Sequence, residues 1–184
     1  MPMTSGQRSR RRFALPLLAL LALAACDTGG EATVVLTCPQ VLIVDEASEL
    51  TLYAPGEGRD MLDVRFDAAI GAVDWVCDYY SEENRVDVEV RFAVRALRGP
   101  AAEGPVARLP YFVAVADPEG NVLAKQVFAI DIAFPGDALE IGHIEDVFQS
   151  LRYAKISDAS FYTIYIGYQL TPEQLGESRA LQVF

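Results

Sequence analysis

The chain has 184 residues, with 15 Lys and Arg against 26 Asp and Glu, one His and three Cys, giving a formal net charge of −11. Nucleic acid and anionic lipid headgroups are disfavoured as partners because like charges repel. The hydrophobic content of 52% argues against wholesale disorder.

The first 25 residues have the three zones of a secretory signal peptide. Arg8 and the three arginines at 10–12 precede an apolar run over residues 13–23, and Ala24 and Ala25 supply small residues at its end. The run is too short to span a bilayer, which needs about 20 residues. We predict a signal peptide over residues 1–25. Without it, 11 basic residues face 26 acidic ones and the net charge is −15.

The four residues Leu23, Ala24, Ala25 and Cys26 resemble the lipobox of bacterial lipoproteins. The resemblance implies that the Cys26 thiol receives a diacylglyceryl group and that the precursor is cut just before it. Stable anchoring needs more than one acyl chain. The diacylglyceryl group provides two, and an acyl chain such as palmitate on the amine adds a third. An ordinary cleavage site beside a chance cysteine is the alternative.

The surroundings of the lipobox predict a periplasmic location. Residues 9–14 resemble the twin-arginine export signal but lack its final Leu-Lys, so the general secretory route stays favoured. Asp27 resembles the inner-membrane retention signal of enteric lipoproteins. Residues 26–33 are then the lipidated cysteine and a short polar tether, and residues 34–184 are one domain.

Cys38 and Cys77 remain as a pair once Cys26 is assigned to lipid. An oxidising compartment favours a disulfide between them. Its loop of about 40 residues would stabilise the fold by about 4 kcal/mol on the chain-entropy model. A metal site is the rival interpretation, but two cysteines and one histidine are a poor ligand set. We therefore expect no metal and no cofactor.

Apolar residues recur with a period of two from residue 34 onward, as in strands with one buried face. The clearest apolar sets are Leu62, Val64, Phe66, Ala68 and Ile70, and Val86, Val88, Val90, Phe92 and Val94. Strands are predicted over residues 40–44, 50–54, 62–70, 72–80, 85–97, 111–116, 122–134 and 161–170. This alternation is typical of antiparallel sheets.

Turns and one helix complete the predicted elements. Residues 81–84 and 117–121 predict turns between strands, and the Pro- and Gly-rich residues 98–108 predict a longer loop. Thr171, Pro172 and Gln174 predict the N-terminus of a helix over residues 172–181.

The predicted fold is an all-β, antiparallel β-sandwich of seven to eight strands with a short C-terminal helix. Asp158 and Tyr162 resemble the tyrosine corner of immunoglobulin-like domains, with Ile164 where antibody domains place a cysteine. The resemblance implies an immunoglobulin-like architecture. The whole chain resembles small envelope lipoproteins of Gram-negative bacteria, a resemblance that implies no activity.

No catalytic set stands out. His143 is the sole histidine in the sequence. The G-x-S-x-G nucleophile elbow is missing from the sequence, and no cysteine is left as a nucleophile. His143 is therefore expected at the surface or in a loop. Paired carboxylates can hydrolyse glycosides or bind calcium, but the EF-hand spacing is missing and solvated faces are expected. These carboxylates are Asp45, Glu46, Glu49, Asp74, Asp78, Glu82, Glu83, Glu145 and Asp146.

Aromatic residues are the candidate ligand contacts. Phe161 and Tyr165 share one face of the last predicted strand, whereas the face with Ile164 and Ile166 is the expected core. If exposed, the first face could stack on a sugar or grip a peptide. Covering by the terminal helix or by another loop is the alternative. Trp75 and Tyr79 flank Cys77 and are expected to pack around a disulfide.

These observations predict a lipid-anchored envelope protein that is not an enzyme and serves as an interaction or assembly module. Its partners are the membrane, through the lipid, and another envelope protein. A glycan- or peptidoglycan-binding module is the first alternative function, and a carboxylate-based hydrolase is the second alternative.

Overall fold

The computed structural model describes residues 36–56 and 58–181, and the predicted signal peptide, Cys26 and the tether lie outside them. Eight strands form two sheets of four, which confirms the predicted all-β sandwich. The strands are β1 (Gln40–Ile43), β2 (Glu49–Tyr53), β3 (Val64–Tyr80), β4 (Arg85–Arg98), β5 (Val106–Ala116), β6 (Val122–Ala133), β7 (Glu140–Arg152) and β8 (Thr163–Tyr168). The helices are α1 (Ile156–Ala159), α2 (Pro172–Leu181) and two short 3-10 helices, Asp45–Ala47 and Ser81–Glu83.

Sheet one has the strand order β1-β8-β5-β6, and sheet two has the order β2-β3-β4-β7. Strands pair antiparallel throughout, except for the short parallel pair of β1 and β8. Immunoglobulin domains place their first two strands in one sheet, whereas β1 and β2 lie in different sheets here. The likeness to immunoglobulin domains is therefore one of architecture, and the strand order is different.

The core lies between the sheets and follows the predicted alternation. The five inward residues of β4 from Val86 to Val94 are at most 1% exposed. Aromatic pairs join the elements, since the Phe92 and Tyr111 rings meet edge to face at 5.5 Å and the Phe66 and Phe134 rings stack at 5.7 Å. Aromatic pairs add roughly 0.5–1.5 kcal/mol each beyond the area they bury.

Strand β3 corrects two of the sequence expectations. The segments predicted as separate strands over 62–70 and 72–80 form one strand, whose pairing with β4 is irregular between Ile70 and Val73. The irregularity shifts the register of the pairing without ending the strand, as β-bulges do. Leu62 lies in the turn before β3 and is exposed, so its assignment to the core is wrong.

Strand β7 was not predicted. Its inward positions are three apolar and three polar residues, namely Ile141, His143, Glu145, Val147, Gln149 and Leu151. Half of the inner face is therefore polar, so the sequence of β7 lacks the apolar period of two that predicts a strand. The loop predicted over residues 98–108 is also shorter, because β4 extends to Arg98 and β5 begins at Val106.

The predicted turn and helix start are confirmed. Asp117 accepts a hydrogen bond from the Asn121 backbone N–H at 2.7 Å, and Gly120 has a φ of 85°, so β5 and β6 form a hairpin. In front of α2, the Gln174 side chain accepts from the Thr171 N–H at 2.9 Å, and the Thr171 hydroxyl accepts from the Gln174 N–H at 3.3 Å. This reciprocal pair is the predicted capping box.

The predicted disulfide is present. Cys38, just before β1, is bonded to Cys77 on β3, with the two Cα atoms 5.7 Å apart. Because β1 is an edge of sheet one and β3 belongs to sheet two, the bond links the two layers on that side of the sandwich.

Candidate interaction surface at the open side of the sandwich

The side of the sandwich opposite the disulfide ends in two free strand edges, β6 in sheet one and β7 in sheet two. Among the described residues, no strand pairs with either edge. We call these two strands and the space between them the open side. A long strand edge is a row of backbone donors and acceptors available to another chain.

Strand β6 exposes apolar side chains on both of its faces. Every residue from 122 to 129 is exposed, whereas Ile130 and Ile132 are buried. Pairing with β5 puts Phe128 opposite the buried Tyr111, so Phe128 faces inward, yet it remains 37% exposed. Val127 on the outer face is 56% exposed. The inner faces of the two sheets are therefore open to solvent along residues 122–129 of β6.

A polar network lies on the inner surface of the open side. The Glu145 carboxylate on β7 accepts a hydrogen bond from the Tyr111 hydroxyl at 2.9 Å, and its second oxygen lies 3.1 Å from His143 Nε2. The Phe128 ring stacks on the Tyr111 ring, with centroids 5.3 Å apart. Glu145 and His143 are half-buried, so the network reaches from the core to the solvent-facing edge.

Burial raises the pKa of the Tyr111 hydroxyl, and the hydrogen bond to the Glu145 carboxylate raises it further. The phenol therefore stays protonated at neutral pH and acts as a donor. This role holds Glu145 in place and does not make Tyr111 a nucleophile.

A hollow of about 390 Å³ lies at one end of the open side, next to the β5–β6 turn. Leu123 and Gln126 of β6 and Phe148 and Arg152 of β7 line the hollow, together with Tyr162. Phe148 is 69% exposed. Apolar side chains with a few polar groups at the rim are typical of surfaces that bind another protein.

Several carboxylates pair with arginines on the outer faces of the sheets. Arg91 pairs with Asp146 at 2.7 Å, Arg95 with Glu140 at 2.6 Å and Arg108 with Asp131 at 2.9 Å. Glu145 and Asp146, adjacent in sequence, thus point to opposite faces. The Arg95 guanidinium lowers the pKa of the Glu140 carboxyl.

The other predicted carboxylates fall into separate places. Asp45 and Glu49 line a shallow groove of about 350 Å³ beside α2, together with Glu177. Asp74 and Asp78 are exposed on β3, and Glu46, Glu82 and Glu83 lie in the 3-10 helices. Within the described residues, no group of three or more His, Cys, Asp or Glu side chains could hold a metal ion.

The two aromatic candidates do not share one hollow. Phe161 is 65% exposed just before β8, beside a hollow lined by Thr37, Cys38, Gln40 and Ser160. Tyr165 is half-buried on β8, between Leu42 of β1 and Ala114 of β5. The opposite face, with Ile164 and Ile166, is buried as expected.

The residues that flank Cys77 differ in their surroundings. The Tyr79 hydroxyl donates to the Thr37 carbonyl at 2.8 Å and so holds the segment that leads to Cys38. Trp75 is 38% exposed. Packing next to the disulfide is thus observed for Tyr79, while Trp75 is open to solvent.

The open side was not identified from the sequence, although two signals were visible. Apolar residues occupy both odd- and even-numbered positions of 122–130. This pattern indicates either a fully buried strand or an exposed edge. His143 and Glu145 occupy the inner face of a strand that was not recognised. His143, expected at the surface or in a loop, lies on β7 with its side chain half-buried.

The class of fold is therefore a two-layer, mainly antiparallel β-sandwich with one side linked by a disulfide and one side open. No protein-family model, no curated protein and no solved structure matches the chain. Across the described residues, the helices are too short or too polar to cross a membrane.

Proposed function

We propose that this protein is a lipid-anchored component of the bacterial cell envelope that binds another protein through the open side of its sandwich. The anchor rests on the lipobox around Cys26, and a non-enzymatic interaction role rests on the surface. The single observation that carries the binding role is β6, an edge strand of 12 residues with apolar side chains exposed on both faces.

Two features of the open side support binding of an extended chain. An exposed strand edge offers main-chain hydrogen bonds, and pockets beside it select alternate side chains. Val127 and Phe128 provide one exposed residue on each face of β6, and the hollow next to Phe148 lies beside the strand. An uncovered apolar edge of this kind is otherwise a site of aggregation, which binding a partner prevents.

Site-specific photo-crosslinking in the intact envelope tests this function. A photoreactive amino acid replaces Val127 on β6 and, as the matched control, Met61, which is 84% exposed in the turn before β3. We expect a discrete protein adduct from position 127 and none from position 61. No adduct from position 127, or equal adducts from both positions, contradicts the proposed function.

Glycan binding is the second candidate, because Phe161 is exposed beside its own hollow of about 600 Å³. An exposed aromatic ring can stack on a sugar ring. Sedimentation with purified peptidoglycan tests it. Binding that Phe161→Ala reduces and Phe148→Ala leaves intact favours this candidate, and the absence of binding by the wild-type protein removes it.

A further inference from the structure

The free edge of β6 has a defined set of unpaired backbone groups. The Phe134 N–H donates to the Pro105 carbonyl at 2.7 Å, so position 134 points toward β5. Since antiparallel strands alternate in direction, the even-numbered residues of β6 bond to β5 and residues 125, 127, 129 and 131 turn their N–H and C=O groups outward. Pro110, which has no N–H, lies opposite Ala129 and fits this pattern.

This edge carries few of the features that keep strand edges apart. Natural edges are protected by proline, by charged side chains and lysine above all, by inward-pointing charges, by bulges or by being short. From residue 124 to residue 133, β6 contains no Pro or Gly and pairs with β5 without a break in register. Its charged residues in that stretch are Lys125 and Asp131, both on the outer face.

The arrangement of those two charges is self-complementary. We propose that β6 pairs antiparallel with β6 of a second copy, about a two-fold axis at Phe128. Lys125 then lies opposite Asp131 of the second copy, and the symmetry repeats this pair. On the inner face, Phe128 lies opposite its own equivalent. The inference rests on the proposed binding function and names its partner as a second copy of this chain.

The backbone supports the same register. With the axis at Phe128, position 125 faces position 131 and position 127 faces position 129, all of which have outward N–H and C=O groups. Each such pair exchanges two hydrogen bonds in an antiparallel ladder. A register shifted by one residue would place outward-facing backbone groups of one copy opposite backbone groups of the other copy that already face β5. The two copies of sheet one would become one continuous eight-stranded sheet with an isologous interface.

The surroundings of the two charges fit this pairing. Asp131 already accepts hydrogen bonds from Arg108, on the neighbouring strand β5. The Lys125 ammonium lies 4.2 Å from the centre of the Phe112 ring, also on β5. Both side chains therefore lie over the outer face of the sheet, where cross-strand pairs of opposite charge stabilise and like charges destabilise.

Charge reversal tests the pairing. Two differently tagged copies of the full-length protein are co-expressed, and recovery of one with the other from detergent-solubilised membranes is measured. Lys125→Asp and Asp131→Lys each place like charges opposite each other twice. We expect each variant to lose self-recovery by about tenfold or more, because two attractive pairs become repulsive.

The mixture of the two variants separates pairing from a folding defect. When Lys125→Asp is co-expressed with Asp131→Lys, opposite charges face each other again, and we expect recovery at the wild-type level. Lys155→Asp, an exposed charge reversal outside β6, serves as the control and should have no effect. Unchanged self-recovery of the single variants, or a mixture as weak as they are, overturns the proposal.

A proline on the edge distinguishes failure of this inference from failure of the proposed function. The Ala129 N–H points away from β5, so Ala129→Pro removes an edge donor without removing a bond to β5. We expect it to abolish recovery of the second copy. A position-127 adduct with a different protein, together with no recovery of a second copy, overturns self-pairing while supporting the binding function.

Discussion

At the scale of single residues, two buried tyrosines of sheet one differ in how their hydroxyls are satisfied. Tyr111 donates to Glu145, whereas the Tyr168 hydroxyl is buried with no hydrogen-bond partner among the described residues. Burial raises the pKa of Tyr168, and the nearby Asp67 charge raises it further. A buried hydroxyl without a partner costs about 1–3 kcal/mol, whereas a bond to a charged acceptor stabilises.

The stability of the domain should therefore respond differently to loss of the two hydroxyls. We expect Tyr111→Phe to lower the free energy of unfolding by about 1–2 kcal/mol, because Glu145 loses its donor. Tyr168→Phe should leave it unchanged or raise it by about 1 kcal/mol, because an unpaired buried group is removed. Urea unfolding of both variants measures the difference. A larger loss from Tyr168→Phe than from Tyr111→Phe contradicts this assignment.

At the scale of elements, the sequence predicted what local pattern controls. The alternation over β4 identified its buried face, and the Thr171–Gln174 spacing located the start of α2, because capping depends on residues three apart. Strand β7 was not predicted from the sequence because its inner face is half polar. Those polar residues are tolerated because β7 is an edge at the open side, a consequence of strand order that no local window of sequence contains.

The candidate site likewise depends on contacts between distant segments, which no local sequence pattern contains. The sequence identified 122–134 as a strand but not as an edge strand, since neighbours are set by contacts between distant segments. The sequence placed Phe161 on the face of the last strand opposite its core residues but left open whether a neighbouring segment covers it, and the side chain is 65% exposed. Tyr111, Glu145 and His143 meet only after β5 and β7 are placed in facing layers.

Helix α2 depends on Gln174 for both its cap and its attachment to the sandwich. The Gln174 side chain accepts from the Thr171 N–H, and its amide also donates to the Thr51 carbonyl of β2 at 3.1 Å. We expect Gln174→Ala to cost the helix about 1 kcal/mol. Hydrogen exchange should then accelerate in α2 and stay unchanged in β4.

The matched control for this prediction is Glu177→Ala, an exposed position of the same helix. It should leave the exchange of α2 close to that of the wild type. Because alanine favours the helix at either position, equal acceleration by both variants would contradict a specific role for the contacts of Gln174.

At the scale of the whole molecule, the sandwich has two unlike sides. The Cys38–Cys77 bond joins the layers at one side, and the edges of β6 and β7 end the layers at the other. The linked side therefore resists separation of the layers, and the open side remains available for a partner. In the account proposed here, lipid on Cys26 holds this asymmetric domain at the membrane surface.

Loss of the disulfide should destabilise the whole domain. We expect Cys38→Ala with Cys77→Ala to lower the free energy of unfolding by about 4 kcal/mol, because the unfolded chain regains the freedom of a loop of about 40 residues. Denaturant unfolding of the oxidised wild type and the double variant measures this loss. Coincident unfolding transitions would show that the bond contributes nothing.

The most direct test of the central claim is the chemical state of Cys26 in the protein extracted from membranes. Mass spectrometry of the N-terminal peptide should find a chain that begins at Cys26 and carries a diacylglyceryl thioether. A free Cys26 thiol, or a peptide that retains residues 1–25, would contradict lipid anchoring and the envelope function built on it.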